Sequence, residues 1–238
     1  MKRHLLLIPI LVAATAARAV DVDARQAECD NANAHEADRS PTGNPVQATA
    51  LPELPANVKP LADQAKAAFQ KQKYGEAERL YVQALALAPD NIQLLSNIGT
   101  CQISAGKLKD AEASYLKAVA LAPNDPVCWT SLGIVYYSQG KHDSSIDALN
   151  KSIAIDKGNA TAHNYLGMAC AQKGSLDVAE RELRLAIELN PRYADAHFNL
   201  AIVKATTSPP NKEEARTLYE KARELGADED DALERLLK

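Results

Sequence analysis

The sequence contains little of several features that would assign it to a class at once. Of its 238 residues, 5% are aromatic, ten are glycine and four are cysteine. Ten glycines and twelve prolines exclude a collagen-like chain, and no run approaches the ~18 apolar residues of a membrane-spanning helix. Lysine and arginine together number 27 against 31 acidic residues, which disfavours a nucleic-acid binder with a strongly cationic face. A hydrophobic share of 46% nevertheless indicates a folded, globular chain rather than wholesale disorder.

The first nineteen residues have the three-part layout of a secretory signal peptide. Lys2 and Arg3 form a basic start, residues 5–14 are apolar, and small residues lead to Ala19. Cleavage after Ala19 would remove three basic residues and no acidic one, so the mature chain would be more acidic. The alternative is an uncleaved N-terminal anchor. We expect export through this signal peptide, to the periplasm or out of the cell.

Residues 20–57 read as a linker. The segment contains seven acidic residues and four prolines, and large apolar side chains are nearly absent from it before Leu51. Such a stretch buries too little apolar area to offset the entropy lost on ordering. We predict a disordered or extended acidic linker.

Four cysteines remain beyond Ala19: Cys29, Cys101, Cys128 and Cys170. An even number of cysteines in an exported chain is compatible with disulfide bonds. The alternative, which the positions of three of them within helices favour, is that they are buried as small hydrophobic side chains.

From residue 58 onward the sequence repeats with a period of 34 residues. A glycine that follows an aliphatic residue recurs at Gly99, Gly133 and Gly167. Small residues recur in the same register at Ala111, Ser145 and Ala179. Several independent columns in one register indicate a repeat protein, in which one supersecondary unit recurs along the chain.

The repeats resemble those of the tetratricopeptide repeat family. Residues 129–136, WTSLGIVY, match the first half of that family's signature, and residues 111–115, AEASY, followed by Pro123, match the second half with Tyr in place of Phe. The resemblance implies an all-α fold in which helical hairpins stack into a right-handed superhelical solenoid. We assign five helix-turn-helix repeats to residues 58–229, divided as 58–91, 92–125, 126–159, 160–193 and 194–229.

Residues 230–238 are predicted to form a short amphipathic helix that caps the open end of the stack. The alternative is a frayed tail. The last repeat is two residues longer than the others, at residues 206–211, and its turn should bulge outward.

Local signals within the repeats predict how each hairpin turns. Gly106 and its equivalents one and two repeats later follow the first helices, where a left-handed cap is needed. Gln72 stands at that position in the first repeat, so its turn is predicted to be less regular. Asn91 and Asp125 precede first helices and are predicted to cap their free amides.

The sequence contains no glycine-rich phosphate loop, no His-Glu-x-x-His and no Cys-x-x-Cys. His163 and His197 lie one repeat apart, in the column of Trp129, and could form a two-histidine metal site. The alternative is that both fill an aromatic-sized packing position, because neighbouring helices ~8–10 Å apart would share one ion poorly. We therefore predict no metal, no cofactor and no catalytic activity.

The resemblance implies that the first helices of the repeats line a concave groove. The side chains predicted to bind a peptide there are Lys59, Lys66, Phe69, Gln93, Ser96, Thr100, Ile103, Thr130, Ile134, Tyr137, Asn164, Met168, Phe198, Asn199 and Ile202. Apolar members of this set would form the contact line for an extended peptide or helix, unless some of them pack between helices instead. The asparagine ladder of some family members is matched only at Asn97 and Asn199.

These observations favour an exported, non-catalytic scaffold or adaptor that binds a protein or peptide, in cell-envelope assembly, secretion or complex organisation. We expect no nucleic-acid partner and no membrane span in the mature chain. One alternative is a self-associating structural subunit, a homo-oligomer that docks through Leu233, Leu236 and Leu237. Another, from fold-level analogy, is a substrate-presenting accessory subunit of an enzyme complex.

Overall fold

The computed structural model describes residues 54–238, and the regular structure in that range is entirely helical. The predicted signal peptide, all but the last four residues of the predicted linker, and Cys29 lie outside the described residues. The helices are α1 (Lys59–Gln70), α2 (Tyr74–Leu87), α3 (Ile92–Ser104), α4 (Leu108–Leu121), α5 (Pro126–Ser138), α6 (His142–Ile155), α7 (Ala160–Gln172), α8 (Leu176–Leu189), α9 (Ala194–Thr206), α10 (Lys212–Glu224) and α11 (Asp231–Leu237).

The described residues form two compact units. The N-terminal unit, residues 54–122, contains the hairpins α1–α2 and α3–α4, and α2 packs against α3. The C-terminal unit, Pro123–Lys238, contains the hairpins α5–α6, α7–α8 and α9–α10, followed by α11. The prediction of an all-α chain of five helical hairpins with a C-terminal helix is confirmed. Among the helices of residues 54–238, none has the length and apolar character needed to cross a bilayer.

The glycine column marks the place where the two helices of a hairpin touch. A Cβ atom built on Gly99 would lie 2.5 Å from the ring of Tyr115, and one on Gly133 would lie 2.6 Å from Cγ of Leu149. Both distances are shorter than any ordinary carbon–carbon contact. A larger residue in this column would therefore force the helices apart, which explains the 34-residue recurrence of glycine.

The turns after the first helices share one backbone geometry. Gly106, Gly140 and Gly174 have φ values of +72°, +73° and +79°. Gln72 has a φ of +58°, and the amide of Lys73 donates to the carbonyl of Ala68, as in the Schellman arrangement of the glycine turns. The prediction that the turn at Gln72 is less regular is therefore wrong. The hydrogen bonds of the hairpin impose the left-handed conformation on a residue with a Cβ atom.

Polar side chains begin the first helices as predicted. Oδ1 of Asn91 accepts from the amide of Leu94 at 2.9 Å, and Oδ1 of Asp125 accepts from the amide of Val127 at 2.8 Å. Asn159 caps α7 in the same way, through the amide of Ala162. These bonds satisfy amides that have no partner within the helix.

The last hairpin and α11 close the C-terminal unit. Residues 208–213, which include the two-residue extension, are exposed, as the predicted outward bulge requires. Leu233 and Leu237 of α11 are buried and belong to the hydrophobic core of the unit, while Leu236 packs at its edge. The helix therefore caps its own chain. This use of the leucines argues against their predicted alternative role in self-association.

Candidate functional site

In three of the described hairpins the first helix is uncharged and the second is charged. The first helices α3, α5 and α7 contain no Asp, Glu, Lys or Arg. The second helices that pair with them carry charges on their outer faces, as at the exposed Arg181, Arg184 and Glu188 of α8. In the C-terminal unit, where α5 and α7 contact each other, this pairing of uncharged first helices with charged second helices is the feature that most resembles a recognition surface.

Most side chains predicted to bind a peptide are buried in the described structure. Lys59 and Lys66 are exposed, and Gln93, Thr100 and Ile134 are partly buried. The remaining ten are buried: Phe69, Ser96, Ile103, Thr130, Tyr137, Asn164, Met168, Phe198, Asn199 and Ile202. For these ten the structure favours the alternative, that they pack between helices. Helix pairs that approach as closely as glycine allows enclose the side chains beside the glycine.

Three of the buried candidates contact the second helix of their own hairpin or the turn before it. The Phe69 ring lies 5.2 Å from that of Tyr74, measured between centroids, in an edge-on arrangement. Oγ1 of Thr130 lies 2.7 Å from Oγ of Ser152. The ring of Phe198 similarly meets that of Tyr219. These side chains contribute to hairpin stability, and a partner could reach them only at their edges.

In the C-terminal unit, the first helix α7 contacts both α5 and α9 directly, and amide side chains join α7 to α9. Nδ2 of Asn199 donates to Oδ1 of Asn164 at 3.0 Å, and Nδ2 of Asn164 donates to the hydroxyl of Tyr193 at 3.3 Å. The partner of Asn199 is thus Asn164, one position away from the expected column. The spacing of 35 residues, against a period of 34, explains why column comparison missed this pair.

An aromatic cluster lies where α5 meets α6 and α7. The ring centroid of Tyr137 is 5.8 Å from that of Tyr165 and 5.7 Å from that of His142. Burial raises the pKa of Tyr137 to about 12, and the side chain of Gln172 offsets the rise in part. Burial likewise lowers the pKa of His142. Sequence analysis did not place His142 or Tyr165 in the site, because neither belongs to a column that recurs in residue type.

The two histidines one repeat apart each bond to the turn that precedes their own helix, and His163 also bonds to the second helix of its hairpin. His163 lies 2.8 Å from Glu182 through Nδ1 and 3.2 Å from the carbonyl oxygen of Lys157 through Nε2. Nε2 of His197 lies 3.1 Å from the carbonyl oxygen of Pro191. These contacts match the packing alternative for the histidine pair. Residues 54–238 contain no group of three or more His, Cys, Asp or Glu side chains that could hold a metal ion.

The three described cysteines form no disulfide bond with one another. Cys101, Cys128 and Cys170 are all buried, and Sγ of Cys128 lies 3.5 Å from Oδ2 of Asp125. Burial is the largest of the effects that raise the pKa of Cys170. A buried thiol with a raised pKa is a poor nucleophile, which fits the interpretation of these residues as small hydrophobic side chains.

Comparison with known structures gives likenesses in fold. The chain is similar to TTC0263, a thermophilic TPR protein of Thermus thermophilus, at 20% identity, over 75% of this chain and 96% of that one, with a TM-score of 0.63. It is similar to MamA at 24% identity, over 68% and 93% of the two chains, with a TM-score of 0.58. It is also similar to YrrB, at 22% identity, over 74% and 90%, with a TM-score of 0.55.

Comparison by sequence gives the family. A tetratricopeptide repeat model matches residues 68–133, a TPR repeat model matches residues 133–174, and a further tetratricopeptide repeat model matches residues 160–193. No curated protein matches the chain. Because the repeat models together match more than half of the chain, from residue 68 to residue 193, the chain belongs to the tetratricopeptide repeat family.

Proposed function

We propose that the protein is an exported, non-catalytic scaffold that binds a polypeptide along the first helices of its C-terminal unit. The observation that carries the proposal is the absence of Asp, Glu, Lys and Arg from α5 and α7, two helices in direct contact. Aromatic, aliphatic and uncharged polar side chains take their place. An uncharged surface suits a polypeptide rather than a nucleic acid, which requires cations.

A neighbour in fold supports this class of ligand. YrrB is described as a TPR protein with an unusual peptide-binding site. The same arrangement of helical hairpins therefore accommodates a peptide in at least one protein, although at 22% identity the individual side chains do not transfer.

The proposal is tested by selecting ligands from a random 12-residue peptide library with the purified, immobilised chain. Selected peptides are then measured against Ile134→Lys, which adds a charge to a partly buried position on α5. Asn150→Lys is the matched control, since it adds the same charge to an exposed position on α6. We expect Ile134→Lys to weaken binding at least tenfold and the control to leave it unchanged.

Two results would contradict this function. One is a selection that yields no peptide with saturable binding. The other is equal binding by the two lysine variants at equal Tm, because the ligand would then not contact the first helices.

Export is proposed from the layout of residues 1–19 alone, and it has its own test. The intact mass of the protein recovered from the exported fraction should correspond to a chain that starts at Val20. A full-length mass in the membrane fraction would support the uncleaved anchor instead.

A further inference from the structure

The second helices of all five hairpins expose one line of residues to solvent, which we call the outer stripe. It begins at Gly75 in α2, Lys109 in α4, Asp143 in α6, Asp177 in α8 and Glu213 in α10, and it continues four, seven and eleven residues further along each helix. This spacing places the four residues on one side of a helix. Because all of them are exposed in every repeat, the packing of the hairpins does not fix their identity.

The outer stripe differs in composition between the two units. In the N-terminal unit it contains Val82 and Leu116, which are 49% and 44% exposed, together with the basic residues Arg79 and Lys109 and no acidic residue. In the C-terminal unit it contains seven acidic residues, two arginines and no aliphatic side chain larger than that of alanine. Both arginines pair with a glutamate, at 2.9 Å and 3.0 Å. One unit therefore exposes an apolar, cationic stripe and the other an acidic one.

The hairpin fold does not require the two aliphatic side chains. Asn150 and Arg184 stand at the equivalent positions of α6 and α8. A single exposed aliphatic residue is ordinary on a protein surface. Val82 and Leu116, however, recur at one position of consecutive repeats, and the equivalent positions of the remaining repeats are polar. Leaving both half in water forgoes the stability that burial would provide, which indicates that something covers them.

The charges beside this stripe leave its sign positive. Lys117 is exposed next to Leu116. The acidic neighbours are Glu76 and Asp110, in the first turns of α2 and α4. Nζ of Lys73 lies 3.2 Å from Oε2 of Glu76, so one of the two acidic neighbours is already paired. The stripe of the N-terminal unit thus combines aliphatic side chains with a surplus of cations.

We propose that the outer stripe of the N-terminal unit binds the surface of a lipid bilayer with anionic headgroups. Val82 and Leu116 insert between the headgroups, and Arg79 and Lys109 lie beside the lipid phosphates. The acidic stripe of the C-terminal unit is repelled by such a surface, so contact through the N-terminal unit is favoured. The contact uses second helices and is independent of the peptide binding proposed for the first helices.

A second copy of the chain matches the stripe less well than an anionic bilayer. The C-terminal stripe of another copy has the opposite charge, but it offers no aliphatic side chain to cover Val82 and Leu116. The N-terminal stripe of another copy would supply aliphatic side chains, but it would bring Arg79 and Lys109 of both copies together with no acidic residue in the stripe. An anionic bilayer offers negative charge and an apolar layer at once.

The test is co-sedimentation of the full chain with vesicles of phosphatidylcholine, either alone or with about one third phosphatidylglycerol. Val82→Gln with Leu116→Gln removes the aliphatic side chains of the stripe, and Arg79→Gln with Lys109→Gln removes its charge. We expect wild type to bind the phosphatidylglycerol vesicles about tenfold more strongly than the neutral ones, and each double variant to lose most of that difference. All four positions are exposed, so the Tm should remain that of wild type.

Matched controls make the same changes in the C-terminal unit. Ile155→Gln with Leu189→Gln removes two aliphatic side chains that are 38% and 39% exposed. Lys157→Gln with Lys212→Gln removes two exposed charges. Both controls should bind vesicles as wild type does. Residues 1–19 are the same in all five proteins, so the comparison isolates the stripe from any binding by that segment.

Three results would overturn the proposal: no binding to phosphatidylglycerol vesicles at low salt, equal binding to both kinds of vesicle, or binding by the stripe variants equal to that of wild type. Sedimentation velocity without lipid checks the second copy. A dimer that Val82→Gln with Leu116→Gln cannot form would assign the stripe to self-association instead. Weaker binding of selected peptides by the stripe variants, with vesicle binding unchanged, would assign it to a polypeptide. A chain that selects no peptide but binds anionic vesicles through the stripe would remove only the proposed scaffold function.

Discussion

Nδ1 of His163 lies 2.8 Å from Oε2 of Glu182, and both side chains are buried inside the hairpin α7–α8. The other ring nitrogen of His163 faces the carbonyl oxygen of Lys157 at 3.2 Å. One repeat later, His197 occupies the same position with the same kind of carbonyl contact, at 3.1 Å from Pro191. Its Nδ1 has no hydrogen-bond partner among the residues that the structure describes. The two histidines therefore differ in one contact, the carboxylate that lies beside Nδ1 of His163.

This difference predicts unequal losses of stability. His163→Ala and His197→Ala each remove a buried ring and one bond to a carbonyl, but only His163→Ala also removes a bond to a carboxylate. We expect His163→Ala to lower the free energy of unfolding by about 1.5–3 kcal/mol more than His197→Ala, the usual range for a hydrogen bond to a charged group. Urea denaturation of the two variants measures the difference.

The double variant His163→Ala with Glu182→Gln shows whether the carboxylate is responsible. Without the charge of Glu182, the additional loss of stability caused by His163→Ala should largely disappear. In the His163→Ala single variant Arg181 still contacts Glu182, and this contact moderates the effect. Equal losses for the two alanine variants would mean that the His163–Glu182 contact contributes nothing.

Gly133 tests the close approach inside a hairpin. Because a Cβ atom there would lie 2.6 Å from Cγ of Leu149, Gly133→Ala should lower the free energy of unfolding by about 1–3 kcal/mol through overpacking. Gly75→Ala is the matched control, since a Cβ atom at Gly75 has no atom within 4 Å. In α2 that change should raise stability by up to about 1 kcal/mol. Destabilisation by both variants to the same extent would show that contact with Leu149 is not the cause.

The repeat architecture follows from the sequence to a degree that few folds allow. The columns of Gly99 and Ala111 recur because each hairpin brings its two helices into the same close contact. One well-matched repeat therefore predicts the helices of the others. The turn at Gln72 shows the limit of such reasoning. Column comparison sees a missing glycine, whereas the hydrogen bond from Lys73 to Ala68 maintains the same left-handed geometry without it.

The backbone at Gln72 is therefore strained, and a single substitution should relieve the strain. A residue with a Cβ atom at a φ of +58° is disfavoured by about 1–2 kcal/mol relative to the right-handed region, a penalty that glycine lacks. We expect Gln72→Gly to raise the free energy of unfolding by about 0.5–1 kcal/mol, once the greater flexibility of glycine in the unfolded chain is subtracted. Gly106→Gln, the reverse change at a φ of +72°, should lower it. Chemical denaturation measures both, and a loss of stability in Gln72→Gly would contradict the argument.

The candidate site was less predictable than the fold. Sequence columns indicate which side chains share a face, but they do not indicate how far neighbouring hairpins enclose that face, and so Tyr137, Met168 and Ile202 proved to be buried. The bond between Asn164 and Asn199 crosses columns, and so does the ring contact between Tyr137 and His142. Both are properties of three-dimensional contacts that no periodicity encodes.

A charged cluster in the C-terminal unit makes stability depend on pH. Nζ of the buried Lys204 lies 2.5 Å from Oε1 of Glu180 and 3.2 Å from Oε2 of Glu214, and Arg184 pairs with both carboxylates. The hydrogen bond from Lys204 is the largest cause that lowers the pKa of Glu180 below its ordinary value. A carboxyl with a lowered pKa in the folded state stabilises that state above its unfolded pKa, near 4.3, and this contribution is lost as the pH falls through the folded value.

Lys204→Met isolates that contribution, since methionine retains most of the aliphatic volume without the charge. At pH 7 we expect the free energy of unfolding of the variant to be about 1.5–3 kcal/mol lower than that of wild type. Between pH 5 and pH 3 the stability of the variant should fall less than that of wild type, because one of the groups that lowers the pKa of Glu180 is gone. Lys173→Met is the matched control. Its lysine pairs with the exposed Asp143, and solvent screens such pairs so strongly that the pH profile should coincide with that of wild type. Urea midpoints at half-unit pH intervals measure all three proteins, and coincident slopes for Lys204→Met and wild type would mean that Arg184 alone sets the titration of Glu180.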